Sequence, residues 1–283
     1  MKARIDNDRE SRDINIEKEY SESLSNIAET ATDVGEEKVY SLLAGYTDKD
    51  GITHDTFTLR EMTGADEEYV NRSDIKSNGA KVSTALLARC VTSIGTLTRK
   101  SVGGPKEWED IIKHLYVGDR DVMLLELRRL SIGEEIEVTH TCPNPDCKAK
   151  LNTVVNVDEL EIIEFNGINE IPFELPKGFV DKKGNLHKTG VMRRPNGLDG
   201  ELLTPIAKNN MAKAETALLT RLCKFDDGVY IDDSVMANLS VKDRNYLQKQ
   251  LNDNFFGVNM SVDVMCDRCG ESFKGNLNQT NFI

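Results

Sequence analysis

The chain has 283 residues, 30% charged and 39% hydrophobic, with 48 acidic against 36 basic side chains and a net charge of −12. That balance argues against a general nucleic-acid binder, which neutralises phosphates with Lys and Arg, and against docking on an anionic membrane surface. No apolar run approaches the roughly 18 residues of a membrane span, and no apolar stretch of the secretory kind follows Met1-Lys2-Ala3-Arg4-Ile5-Asp6, so a soluble cytoplasmic protein is expected. Residues 1–36 read as an acidic arm with ten acidic and five basic side chains. Its Ile14, Ile16, Leu24 and Ile27 either anchor a helix on a partner or belong to a solvated tail.

A β-hairpin is expected next. Residues 39–43 and 56–59 are β-prone, and Asp48-Lys49-Asp50-Gly51 between them is a turn rather than a calcium loop, because the later ligands of such a loop are missing. Helices follow over 80–90 and 119–130, where Val82, Leu86, Leu87 and Cys90, then Met123, Leu124, Leu127 and Leu130, form apolar stripes. The intervening Gly/Lys-rich stretch 98–107 reads as a flexible surface loop. Strands over 132–141 and 151–157 flank Cys142-Pro143-Asn144-Pro145-Asp146-Cys147.

This order then repeats. Gly45, Tyr46, Asp48, Lys49, Gly51 and His54 coincide with Gly178, Phe179, Asp181, Lys182, Gly184 and His187 at an offset of 133. Arg60, Gly64 and Asp66 coincide with Arg193, Gly197 and Asp199. Thr84 and Arg89 meet Thr216 and Arg221, Asp119 and Arg120 meet Asp243 and Arg244, and Cys142 and Cys147 meet Cys266 and Cys269. In the second copy Leu247, Leu251 and Phe255 recur every four residues, and Ser240 and Asp243 have capping-box spacing. The chain is therefore read as α+β: an arm (1–36) and two tandem pseudo-symmetric copies (37–165 and 166–283), each with a hairpin, helices and a terminal cysteine hairpin.

Two short-spaced cysteine pairs at hairpin tips are zinc knuckles, each supplying half of a tetrahedral structural site. The economical arrangement is one zinc per chain held by Cys142, Cys147, Cys266 and Cys269, a zinc-ribbon-like unit on a pseudo-two-fold between the copies. It would contribute on the order of 10 kcal/mol. Two disulfides or four free thiols are the alternatives. Cys90 and Cys223 lie on apolar faces and are expected to be buried and inert. His54 and His187 are expected to face solvent, and His140 is a candidate to support a zinc ligand.

The ordered motifs Leu59-Arg60-Glu61-Met62-Thr63-Gly64-Ala65-Asp66-Glu67-Glu68, Leu86-Leu87-Ala88-Arg89-Cys90-Val91, Val117-Gly118-Asp119-Arg120-Asp121, Leu124-Leu125-Glu126-Leu127-Arg128 and Gly133-Glu134-Glu135, closed by Cys142 and Cys147, resemble the small baseplate proteins of T-even phages that assemble the central hub. The Leu59–Glu68 stretch is also similar to tail assembly chaperones. The resemblance spans about residues 38–160. The second copy departs from it, with Gly200 at the position of Glu67, and family members carry one copy. What the resemblance implies is a non-enzymatic tail or baseplate assembly role. Its partners would be hub, tube or tape-measure proteins, met in the host cytoplasm during assembly or in the virion tail. The arm and the loop around Arg99 and Lys100 are the candidate contacts. A zinc-ribbon nucleic-acid module is the alternative, opposed by the charge. A zinc enzyme is disfavoured because four cysteines close the site to water and no catalytic motif is present.

Overall fold

The computed structural model describes residues 38–277. The acidic arm and its four apolar residues lie outside them. Strands β1 (Val39–Thr47) and β2 (Thr53–Leu59) form the first hairpin. Asp48 Oδ1 accepts from the backbone N–H of Asp50 and Ile52, both at 2.9 Å, and Gly51 takes a φ of +80°, so the turn is built by an Asx contact and one glycine. The pairing register slips between Ser41 and Tyr46, a bulge. Helix α1 (Gly64–Val70) starts in a capping box between Thr63 and Asp66, and α2 (Gly79–Cys90) is capped by Asn78. The chain turns straight into β3 (Val91–Ile94), which pairs with β2, and β4 (Leu97–Thr98) completes the sheet order β1-β2-β3-β4.

The expected surface loop 98–107 is a turn over residues 99–104, and its last three residues are helical. Gly103 and Gly104, at φ of +113° and +137°, deliver the chain into α3 (Pro105–His114), whose Trp108 and Ile112 are fully buried. Proline at the first helical position costs no hydrogen bond there. Arg99 is half-buried and donates to Ala88 O at 2.6 Å, near the end of α2. Helix α4 (Val117–Ser131) is buried around most of its circumference, including Asp119, Arg120 and Asp121, and is the central helix of the first core. Strands β5 (Glu135–Thr141) and β6 (Lys150–Asn156) form the first cysteine hairpin, and β7 (Ile162–Ile163) follows.

From β8 (Glu170–Val180) and β9 (Leu186–Arg193) onward the same kinds of element return in the same order. Asp181 Oδ1 accepts from Lys183 and Asn185, Gly184 has a φ of +89°, and the register slips between Glu174 and Phe179. Helix α5 (Gly197–Asn209) starts in a capping box of Asn196 and Asp199, and α6 (Met211–Leu222) is capped by Asn210. Strand β10 (Cys223–Phe225) pairs with β9, so that Met192↔Cys223 stands where Leu59↔Val91 does in the first sheet. Helices α7 (Asp233–Asn238) and α8 (Val241–Asp253) follow. Helix α7 is shorter than α3, so the falling sequence offset reflects a lost helical turn as well as a shorter loop. Helix α8 stops before Phe255, which is exposed and outside the stripe expected of it. Strand β11 (Gly257–Val258) pairs with β7, and β12 (Ser261–Met265) with β13 (Ser272–Asn276), the second cysteine hairpin.

The apolar residues of β1–β4 and α1–α4, with Ile136 and Val155 at the base of the first cysteine hairpin and Val258 of β11, form one core, those of β8–β10, α6, α7 and α8 a second, and the tips of the two cysteine hairpins a third. Residues 39–277 pack as one compact unit. Within it Gly118 lets α4 approach the 256–257 backbone: a Cβ there would lie 2.4 Å from Phe256 O. The residues ahead of α4 and α5 exchange backbone bonds, Val117 N–H to Pro195 O and Gly197 N–H to Leu115 O, both 3.2 Å. Arg194 pins the connection before β8 to the end of α8. It donates to Ile168 O, Asn254 O and Asn166 Oδ1 and lies over the Phe165 and Phe256 rings. Among the described residues no helix is long and apolar enough to cross a membrane.

Candidate metal centre

Both cysteine hairpins turn by the same backbone route. In the first, Cys142 N–H donates to Ala149 O and Lys148 N–H to Asn144 O. In the second, Cys266 N–H donates to Glu271 O and Gly270 N–H to Cys266 O. The residue after the second cysteine takes a left-handed conformation in each: Lys148 at φ of +46° and Gly270 at +78°. That reversal lets the chain leave the tip while both sulfurs point to one side. Lys148 is the one described non-glycine residue with a positive φ.

The two tips meet sulfur to sulfur. Cys142 Sγ lies 3.7 Å from Cys269 Sγ, and Cys147 Sγ 3.8 Å from Cys266 Sγ. All four sulfurs lie within 4.8 Å of one another. A disulfide requires about 2.05 Å, so neither contact is one. A zinc ion with Zn–S of about 2.3 Å sets the edge of its sulfur tetrahedron near 3.8 Å. The pairing is reciprocal, the first cysteine of each tip facing the second of the other, which is two-fold symmetry at this point. Burial raises the Cys266 thiol, but the backbone N–H groups of Cys269 and Arg268 and the neighbouring thiols outweigh it and bring it down to about 7. Cys142 and Cys266 are buried, Cys147 is half-buried and Cys269 exposed, so the centre sits at the rim of the small third core. Four ligand atoms leave no open position for a reacting water.

His140 does not reach a sulfur by any hydrogen bond in the structure. Its ring packs edge-on to Phe273 at 6.4 Å and against Gly275, where a Cβ would come within 2.6 Å. It is a packing residue between the two hairpins. His54 and His187 are buried, at 5% and 6% exposure, and the expectation that they face solvent is wrong. His54 Nε2 pairs with Asp48 Oδ2 at 3.1 Å and the ring lies on Gly95. His187 lies 3.4 Å from Asp181 Oδ2 and bonds Asp227, whose carboxylate, more than burial opposes, raises its pKa. Each histidine closes its own hairpin turn. Cys90 and Cys223 are buried, and burial pushes both thiols up to about 12, as their apolar setting implied.

Three charged networks escaped the sequence reading, and each occurs twice. Asp66 is wholly buried and takes both guanidinium nitrogens of Arg60 (2.7 and 2.9 Å) and Nε of Arg89 (2.6 Å). Asp199 takes Arg193 (2.7 and 2.8 Å) and Arg221 (2.7 Å) in the same way. Burial raises both carboxyls, but the arginine and backbone bonds prevail and both end below the usual range. Asp119 Oδ1 accepts from Leu43 and Ala44 N–H, and Asp243 Oδ1 from Lys177 N–H, so a helix carboxylate satisfies the backbone donors that each hairpin bulge exposes. Pro176 has no N–H to add a second bond. Arg120 donates to Thr84 Oγ1 at 3.0 Å and Arg244 to Thr216 Oγ1 at 2.9 Å. The available signal was that these charged residues coincide in the repeat although they lie among apolar neighbours.

No curated protein and no solved structure matches the chain. Residues 49–183 match the family model described as T4 bacteriophage base plate protein. This segment runs from the turn of the first hairpin through helices α1–α4 and the first cysteine hairpin to the turn after β8. Over residues 49–183 the chain is thus similar to the T4-type phage baseplate family.

Proposed function

We propose that the protein is a non-enzymatic structural or assembly component of a phage baseplate or tail, formed from a doubled unit whose two ends are clasped by one structural zinc. The family match carries the baseplate role. Its partners are then other baseplate or tail proteins of the hub, tube or tape-measure type, met in the host cytoplasm as the tail is built. Support for the doubled unit comes from the two matched sets of bulges, capping boxes and charged networks, shared down to individual atoms. The matched segment is itself about one repeat long, turn to turn. Support for zinc comes from sulfur spacing equal to a tetrahedral edge and a donor set of four thiols. Cys142 and Cys147 would hold the ion from one side and Cys266 and Cys269 from the other. The ion would lock the hairpins and do no chemistry.

Mass spectrometry of purified virions, with tail assembly scored in a phage lacking this chain, tests the role. Incomplete tails are expected, and normal tails without the protein would end the proposal. Metal analysis of chelator-free protein tests the centre: one zinc per chain is expected, while two, or none, contradict a shared site. A nucleic-acid module would draw on the ribbon alone and has the net charge of −12 against it. A salt-sensitive gel shift would be its evidence.

A further inference from the structure

The two halves meet at their helices by a contact that is not reciprocal. The N-terminal end of α5 lies on α2 and α4. Glu201 bonds Thr84 Oγ1, which also receives Arg120, and Glu201 O accepts from Asn78 Nδ2 at 2.8 Å. Gly197 sits on the Arg120 guanidinium, where a Cβ would come within 2.5 Å. The junction thus has a plug, Gly197 and Glu201, and a socket, Asn78, Thr84 and Arg120.

Each half also carries the piece that this junction leaves over. The first half has the plug again as Gly64 and Glu68 on α1, both exposed, with nothing within 4 Å of where a Gly64 Cβ would stand. The second half has the socket again as Asn210, Thr216 and Arg244. The residue types are identical at all five positions. Thr216 and Arg244 are already bonded in the geometry of Thr84 and Arg120. The socket's rim is uncovered: Asn210 is exposed, and Arg244 is 18% exposed where Arg120 is 2%. Two large apolar side chains, Met211 at 63% and Val241 at 73% exposure, stand beside it. Val241 occupies the place of Val117, which the internal junction half-covers.

We propose that a second copy of this chain fills the socket, Glu68 of one molecule accepting from Thr216 Oγ1 of the next as Glu201 accepts from Thr84 Oγ1. The inference rests on the doubled-unit reading. Among the described residues Arg244 meets only the distant Glu215 carboxylate, at 3.9 Å, within its own chain; the Glu68 carboxylate would add a second, and the internal junction supplies the template. Such a contact is head-to-tail. It closes into a ring if the rotation between successive chains allows and otherwise extends as a filament. Glu67 stands at the position of Gly200, where an added Cβ would come within 3.1 Å of the Ala80 side chain, so the junction between molecules has to be wider than the internal one.

Sedimentation velocity on the full-length, zinc-loaded chain over a wide concentration range tests this. Mass should rise above the 31.7 kDa of one chain as concentration increases. Glu68→Arg should hold it at one chain with an unchanged melting temperature, whereas Glu201→Arg, in the internal junction, should lower that temperature. Ala212→Trp, which blocks the socket and keeps the backbone carbonyl that Arg244 reaches at 3.4 Å, should also give single chains. Glu68→Arg combined with Arg244→Glu should recover association. A wild type that stays monomeric throughout, or a Glu68→Arg protein that associates like the wild type, overturns the proposal. An experimental structure in which residues 39–163 and 170–277 do not superpose removes the doubled unit instead, so the two failures are told apart.

Discussion

Replacing Asp119 by Asn isolates the electrostatic cost of docking α4 on the first hairpin bulge. The carboxylate is wholly buried, Oδ1 accepts two backbone N–H groups, and Oδ2 has no partner among the described residues. Burial raises its pKa to about 6, the backbone bonds offsetting only part of the rise. Between pH ~4 and ~6 the folded chain therefore keeps a proton that the unfolded chain has released, at an ordinary value near 3.8. This group's stabilisation is complete below pH ~4 and is lost as pH rises to about 6. At about 1.4 kcal/mol per tenfold, the loss is about 3 kcal/mol. Asparagine keeps the acceptor for Leu43 and Ala44 and cannot ionise. Urea unfolding followed by the fluorescence of Trp108, the single tryptophan, gives both stabilities at each pH. The variant should gain on the wild type by about 3 kcal/mol between pH 4 and pH 7. Loss of metal in acid affects both proteins and cancels in the difference. Parallel stability curves for the two proteins would refute the argument.

Further outcomes follow from the same contacts. Asp66→Ala strands the buried Arg89 and should cost about 3–5 kcal/mol; Asp199→Ala should cost less, because Arg193 and Arg221 are each about one-third exposed. Denaturant titration compares them, and equal losses would contradict the burial argument. Gly118→Ala forces a Cβ onto the Phe256 carbonyl and should destabilise by about 1–3 kcal/mol in the same assay. Chelation of the zinc-loaded protein should release four thiols to a colorimetric reagent, with Cys90 and Cys223 reacting only on unfolding; six fast thiols would show that the two cores open when the metal leaves.

Cysteine spacing made the metal centre legible, because a hairpin tip constrains where two sulfurs can point. Gly51 and Gly184, with Asp48 and Asp181 ahead of them, likewise announced their turns. The charged residues were harder to read. Asp66, Asp119 and Arg120 look like surface positions on amphipathic helices, and only a partner distant in the chain makes their burial tolerable. His54 misled for the same reason: Asp48 and Gly95, which enclose it, carry no periodic signal. Helix α3 was hidden by the Gly-Gly-Pro that begins it, since those residues read as loop although proline at a helix start is favourable. The one-way helix junction was not visible at all, because repeat offsets record which residues correspond and not which of them touch.

The sulfur pairs also impose an order of events in time. Cys147 and Cys266 are 119 residues apart. At roughly 5–20 residues per second, translation puts about 6–24 s between them. If the centre holds zinc as proposed, the first fingertip offers only half of a coordination shell during that interval, and an ion there would be exchangeable. Firm capture would await the last hairpin, so acquisition of the ion would report that both hairpins have been synthesised and brought together.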